Sequence, residues 1–347
     1  MPWTKIIIEK QEPGYDEHAG NDLRKLTVPE AIRETLSQAM SMDKQVFVMG
    51  QGVDDPSGMF GMTLDLQKKF GKERVFDTPL SENALTGIGV GAALTGMRPV
   101  YFHNRPDFLL LAMDQIVNHA SKYSYLFAGK VKIPLVIVAV IGRGWGSGAQ
   151  HSQSLHGLFM HVPGLRLVMP STAYDAKGLL AASIADGNPV MFIEHRWLFK
   201  HKSHVPEELY AVPLGKGLIR RKGKDVTIVG ISYMVIEALR AAEELEKEGY
   251  DAEVIDPRTL KPLDEEIILE SVKKTGHLVI ADTDWKTCGA ASEIASMVSQ
   301  KGFKYLKSAV KIVAWPDLPV PSGYVLEDAF YPGKDDIIKS VKESIKK

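Results

Sequence analysis

The sequence predicts an α/β protein of two domains, each a mainly parallel sheet flanked by helices. Three observations predict it. The chain has 347 residues, enough for about two domains at roughly 150 residues apiece. Short, fully apolar runs alternate with longer helical periods, the pattern of parallel strands covered on both faces. A polar, aperiodic stretch, Lys200-His-Lys-Ser-His-Val-Pro-Glu-Glu-Leu, interrupts that rhythm near its middle.

Taken in order, residues 28–42 read as an amphipathic helix feeding a strand at 46–49. A helix of small residues at 83–94 is followed by a short strand at 98–102 and a helix at 109–125. Residues 135–141 form the most apolar strand, then come strand 166–169, helix 173–184 and strand 189–193. After the polar stretch the alternation restarts at Asp225, with strands at 226–229, 252–255 and 278–281 and helices at 234–248, 265–274 and 290–299. The boundaries expected are an N-terminal arm at 1–24, a first domain at 25–200, a linker at 201–215 and a second domain at 216–347.

Composition narrows the function. Hydrophobic residues make up 45% and charged residues 24%, which excludes a disordered chain. Lys plus Arg is 42 against 43 Asp plus Glu, without the basic excess of a nucleic-acid binder. The longest apolar run, 135–141, is one strand long, whereas a membrane helix needs about 20 apolar residues. The N-terminal region lacks the apolar core of a signal peptide and the acid-poor character of a transit peptide. Cys288 is the lone cysteine, so no internal disulfide forms; the expectation is a cytoplasmic protein.

Three segments carry chemistry. Asp77-Thr-Pro-Leu-Ser-Glu82 reads as a loop entering the small-residue helix. Gly87, Gly89 and Gly91 have the wrong spacing for a dinucleotide loop and suit close helix packing. Glu82 fits first a first-turn carboxylate stabilised by the helix dipole, with Ser81 as N-cap; the alternative is a buried acid facing a cofactor ring. Ile141-Gly-Arg-Gly-Trp-Gly-Ser-Gly-Ala-Gln-His151 is a glycine-rich loop after the most apolar strand, where parallel α/β proteins place their sites. His151 is either a turn histidine or a site residue. Tyr101-Phe-His-Asn-Arg-Pro-Asp-Phe108 follows another strand, and His103 and Arg105 offer two cations for an anionic substrate.

These segments recur in order with Arg98-Pro, Ala112-Met-Asp-Gln, Ala149-Gln-His-Ser-Gln153, Pro163-Gly-Leu, Asp175-Ala-Lys-Gly-Leu, Asn188-Pro-Val, Asp256-Pro-Arg-Thr-Leu-Lys-Pro-Leu-Asp264 and Leu326-Glu-Asp. From about Leu26 to its end the chain resembles the beta subunit of thiamine-diphosphate-dependent 2-oxo acid dehydrogenases, of pyruvate, branched-chain and acetoin type. The resemblance implies a transketolase-like pyrimidine-binding domain followed by a transketolase C-terminal domain.

It also implies roles. Glu82 matches the glutamate that bonds the aminopyrimidine ring nitrogen of thiamine diphosphate, favouring the imino tautomer that removes the thiazolium proton. Leu80 and Phe108 match apolar groups beside that ring. His151 matches the histidine near the substrate carboxylate and in acyl transfer to a lipoyl arm. Ser183, Asp186 and Asn188 fall where some members bind K+. The Gly-Asp-Gly motif for diphosphate and Mg2+ is missing from the sequence, so those groups are expected on an alpha subunit in an α2β2 heterotetramer, with a lipoyl-bearing acyltransferase as a further partner. Gln51 stands where the family usually has glutamate, and Leu111 where glutamine is frequent. With the loop around His103 and Arg105, and with Trp145, these departures mark the substrate pocket as distinct. Expected is decarboxylation of a 2-oxo acid. Ketol transfer or acyloin formation on a sugar-like substrate, and a non-catalytic relative, are the alternatives.

Overall fold

The computed structural model describes residues 2–8, 24–144 and 146–345. Most of the expected N-terminal arm therefore lies outside the described residues, as does Trp145. The chain divides into two compact units, Met1–Ile141 with Phe159–Leu214, and Gly142–Leu158 with Gly215–Lys347.

In the first unit the main strands are β1 (Val46–Gly50), β2 (Val75–Asp77), β3 (Arg98–His103), β4 (Val136–Ile141), β5 (Arg166–Val168) and β6 (Val190–His195). They lie in the order β5-β6-β4-β3-β1-β2 with every pair parallel. All six residues of β4 are buried, as its unbroken apolar run requires. The main helices are α1 (Val28–Met42), α2 (Glu82–Leu94) and α3 (Ala173–Ala185). α1 starts where Thr27 and Glu30 form a reciprocal capping box. It buries Ala31, Ile32, Leu36, Ala39 and Met40 and packs on α3. Glu194, on β6, is an exception to the apolar rule: it is fully buried, and neither carboxyl oxygen has a partner among the described residues.

The helix expected at 109–125 is broken into an α-turn at Pro106–Leu109, a 3-10 turn at Leu110–Ala112, a π-helical stretch at Asp114–Ala120 and a short helix at Ser121–Leu126. Side chains bond along it, Asn118 to Asp114 at 2.8 Å and His119 to Tyr123 at 2.7 Å. The polar segment after Lys200 holds short strands. Lys202–His204 pairs antiparallel with Lys25–Thr27, and Tyr210–Ala211 pairs with Ile7–Ile8. The Lys177 ammonium, fully buried on α3, binds Glu34 and the carbonyls of Pro206 (2.7 Å) and Glu207 (3.0 Å). A buried ammonium satisfied by carbonyls ties this segment down without any apolar period to announce it.

Gly50 fixes the end of β1. Its φ is +142°, and a Cβ there would lie 2.2 Å from the Phe102 carbonyl oxygen of β3. Gly50→Ala is expected to lose about 2–3 kcal/mol of stability from backbone strain and overpacking. Urea denaturation of the purified chain measures this, and an unchanged midpoint would refute it.

In the second unit the strands are β7 (Leu218–Arg221), β8 (Val226–Gly230), β9 (Ala252–Asp256), β10 (Leu278–Trp285) and β11 (Lys311–Trp315), in the order β7-β9-β8-β10-β11. β7 is antiparallel to β9 and the rest are parallel. The helices are α4 (Met234–Lys247), α5 (Glu265–Thr275), α6 (Ala290–Lys301), α7 (Tyr324–Phe330) and α8 (Lys334–Ser344). α4 packs on β8 and β9, and Met234, Ala238, Ala241 and Leu245 join Val226, Ile228 and Val254 in the core. The motif starting at Asp256 has structural work here. The Asp256 carboxylate receives Arg220 at 2.8 Å, with neither side chain exposed, and Asp264 caps α5. Each fold is α/β with a mainly parallel sheet, as expected.

Candidate active site

Glu82 opens α2 directly after the loop from β2. That loop is held by its backbone: Thr78 N–H donates to Gly50 O at 3.2 Å, and Gly52 N–H donates to the Asp77 carboxylate at 2.7 Å. Ser81 occupies the N-cap position, but its hydroxyl makes no capping bond. Its backbone carbonyl accepts from Leu85 N–H at 2.9 Å instead.

The Glu82 carboxylate is oriented by neutral amides. Gln51, buried just past β1, donates from Nε2 to Glu82 Oε1 at 3.3 Å, and Asn104 donates to Gln51 Oε1 at 3.2 Å. Glu82 Oε2 makes no hydrogen bond among the described residues. Thus Gln51, singled out in the sequence only as a departure from a family pattern, is the group that touches the key carboxylate. Asn104 gave no separate signal.

Two ring side chains of β3 lie within the influence of Glu82. Burial, then the Glu82 charge, push the Tyr101 hydroxyl up to about 12. Burial lowers the His103 pKa to about 4, outweighing the opposing pull of Glu82 and of a backbone bond at Arg105. His103 is therefore neutral at pH 7 and is not one of the two cations expected from the loop sequence. Arg105, the other cation expected there, is itself mostly buried.

Leu80 is 80% exposed beside Glu82 in the chain, and Phe108 is half-buried on its short helix. Ile88 on α2 and Leu110 and Leu111 on the turn that α2 packs against are exposed as well. Gly87 and Gly89 do allow close packing, since a Cβ would lie 3.1 Å from Gln115 Oε1 and 3.3 Å from a Leu135 methyl; Gly91 faces open space. Ser183, Asp186 and Asn188 lie at the end of α3. Ser183 bonds back to Leu179 O, while Asp186 pairs with Arg166 at 2.9 Å and accepts both Asn188 N–H groups. Each of the three side chains thus has a partner within the protein. Among the described residues no group of three or more His, Cys, Asp or Glu is arranged to hold a metal ion.

His151 belongs to the glycine-rich loop Gly142–Leu158, which packs with the second unit. It is exposed, directly after a single 3-10 turn at Gly148–Gln150. The loop glycines permit a close approach to the chain itself. At Gly146, φ +64°, a Cβ would lie 2.9 Å from Ser322 O, and at Gly148, φ +66°, 3.1 Å from Ser322 Cβ. Arg143 pairs with Glu327 at 3.5 Å and Asp328 at 2.5 Å, which gives the terminal Leu326-Glu-Asp motif its purpose.

Residues 24–201 match the transketolase pyrimidine binding domain, and residues 215–337 match the transketolase C-terminal domain. The chain is 43% identical to the acetoin:2,6-dichlorophenolindophenol oxidoreductase subunit beta of Cupriavidus necator, over 93% of this chain and 98% of that protein. It is 42% identical to the pyruvate dehydrogenase E1 component subunit beta of Rickettsia felis, over 92% of this chain and 98% of that protein. Among solved structures it resembles a split-gene transketolase, an inactive beta4 tetramer, with a TM-score of 0.74 at 24% identity over 92% of this chain and 98% of that one. No helix among the described residues is long and apolar enough to cross a membrane. With both domain families matched in order and relatives matched along nearly their whole length, the chain belongs to the beta-subunit family of the thiamine-diphosphate-dependent 2-oxo acid dehydrogenases.

Proposed function

We propose that this chain is the subunit that holds the pyrimidine half of thiamine diphosphate and serves decarboxylation of a 2-oxo acid, with the acyl group passing to a lipoyl-bearing acyltransferase. The observation that carries the reading is Glu82. One carboxyl oxygen is steadied by Gln51, and the other has no partner among the described residues and can meet a ring nitrogen. Exposed Leu80 and half-buried Phe108 supply the apolar contact a ring needs. When bound, thiamine diphosphate supplies the carbon nucleophile and electron sink. The protein's part is to hold the proton at Glu82, orient the ring and present His151 to the acyl acceptor.

The diphosphate and its Mg2+ belong in this reading to an alpha subunit, in an α2β2 heterotetramer. The exposed Leu80, Ile88, Leu110 and Leu111 support it, since large apolar groups left in water mark a surface for covering. Arg105, Trp145 and neutral His103 are assigned to the substrate pocket, and a K+ ion to the backbone around Ser183, Asp186 and Asn188. Acetoin-named and pyruvate-named relatives match about equally well, so acetoin belongs beside the 2-oxo acids as a candidate substrate.

Co-expression with the cognate alpha subunit is expected to yield a complex that binds thiamine diphosphate in isothermal calorimetry, while this chain alone does not. Tight binding by this chain alone would end the split-site reading. A panel of 2-oxo acids and acetoin, assayed with the complex for CO2 release and dye reduction, identifies the substrate. Silence across the panel would overturn the catalytic reading.

A further inference from the structure

The loop Gly142–Leu158 is fixed to the second unit at its far end by buried groups. His156 has no exposed surface. Its Nε2 lies 2.9 and 3.1 Å from the two oxygens of Asp282 and 3.6 Å from Asp284 Oδ2. Gly157 N–H donates to Asp284 Oδ2 at 3.1 Å, Trp285 N–H donates to Asp284 Oδ1 at 2.8 Å, and the Ser154 hydroxyl donates to Thr283 O. Between Ser154 and His156 stands Leu155 at φ +55°, a conformation a branched side chain keeps only when its surroundings over-determine it.

Asp282 and Asp284, two residues apart on β10, both reach the same ring nitrogen. Two buried carboxylates side by side are costly without a cation. Nδ1 of His156 has no partner among the described residues, so the carboxylates alone hold the ring. The next turn contributes backbone only: a Cβ on Gly157 would meet Gly289 Cα at 3.0 Å and Cys288 O at 3.2 Å. The charges acting on His156 are thus those of Asp282 and Asp284. Burial alone would lower its pKa, but Asp282 and then Asp284 outweigh this and raise it to about 9. For Asp284, burial raises the carboxyl and the His156 charge opposes it.

We infer that His156 is a positioning residue: clamped as an imidazolium by Asp282 and Asp284, it fixes the Gly142–Leu158 loop and thereby the placement of His151. The inference rests on the assignment of His151 to acyl transfer, and the test separates the two. Because the folded pKa lies above the ordinary histidine value of 6.5, the clamp is whole below pH 6.5, persists at neutral pH and is lost as pH rises through about 9.

The test is hydrogen–deuterium exchange on the complete alpha–beta complex, with kcat and KM for the 2-oxo acid and a lipoyl acceptor. His156→Leu is expected to cut protection across residues 142–158 by about tenfold, leaving β4 and α2 as they were. It should lower kcat with the lipoyl acceptor by about tenfold to a hundredfold, with little change in KM for the 2-oxo acid. Wild-type loop protection falls as pH passes about 9. In His156→Gln, which keeps a donor without the charge, protection is independent of pH. Should His156→Leu fail to fold, Asp284→Asn, which retains Asp282 under the ring, is expected to move the loosening to lower pH. Unchanged loop protection in the folded variant, or a flat wild-type profile through pH 9, would overturn the clamp. A loosened loop with normal acyl transfer, in an enzyme that His151→Ala inactivates, would overturn the positioning role. If His151→Ala is itself fully active, the assignment of His151 has failed, and the exchange data alone then decide the clamp.

Discussion

Glu82→Gln in the enzyme assembled with its alpha subunit is expected to lower kcat by about a hundredfold to ten-thousandfold, the range for removing a positioned acid–base group. The substitution keeps shape and hydrogen-bonding length but cannot give or take a proton. Gln51 donates to Oε1 through its amide, and the amide oxygen introduced by the substitution can still accept that bond, so the start of α2 should keep its structure. Circular dichroism and the assembled mass are expected to match wild type while single-turnover decarboxylation collapses. Near-normal turnover would remove Glu82 from the chemistry and with it the central assignment of the site.

A second large effect is expected in stability, at Glu194. Burial pushes this carboxyl up to about 8, and nothing among the described residues bonds it. Below about pH 4.5 both folded and unfolded chains hold the proton, and the group is neutral in the balance. Between 4.5 and 8 the unfolded chain ionises while the folded one does not. Stability therefore falls by up to about 1.4 kcal/mol for each pH unit, several kcal/mol in all, and levels off above 8. Glu194→Gln is expected to abolish this slope. It should be more stable than wild type at pH 8 and indistinguishable from it near pH 4.5 in urea denaturation. Parallel curves for the two proteins between pH 5 and 8 would show that the carboxyl does not ionise on unfolding as described.

The rhythm of apolar runs and helical periods gave both sheets, because β4, β6, β8 and β10 are buried along nearly all their length and each carries a run of apolar residues, despite buried polar groups such as Glu194, Asp282 and Asp284. Elements that depend on neighbours were less legible. β2 has three residues, and β11 is partly exposed at the sheet edge, so neither carries a clear period. The stretch after Pro106 has a helical apolar pattern, and nothing in that pattern distinguishes an α-turn from the wider π-turn at Asp114–Ala120. Glu82 was recognisable from its motif, but its orienting partner Gln51 lies 31 positions away. His156 and Asp282 are 126 positions apart. Such pairs follow from sheet order, which spacing does not reveal. His103 shows the same limit in charge: the letter permits a cation, and only its burial settles that it is neutral.

The loop Gly142–Leu158 makes the second unit discontinuous along the chain. The family match to the C-terminal domain starts at residue 215 and so omits the piece that neutralises Asp282 and Asp284. The domain read from sequence and the unit read from contacts thus have different boundaries here. His156 and Arg143 of the loop depend on side chains of the second domain, Asp282, Asp284, Glu327 and Asp328. Exchanging the second domain without residues 142–158 would therefore separate His156 from the carboxylates it pairs with.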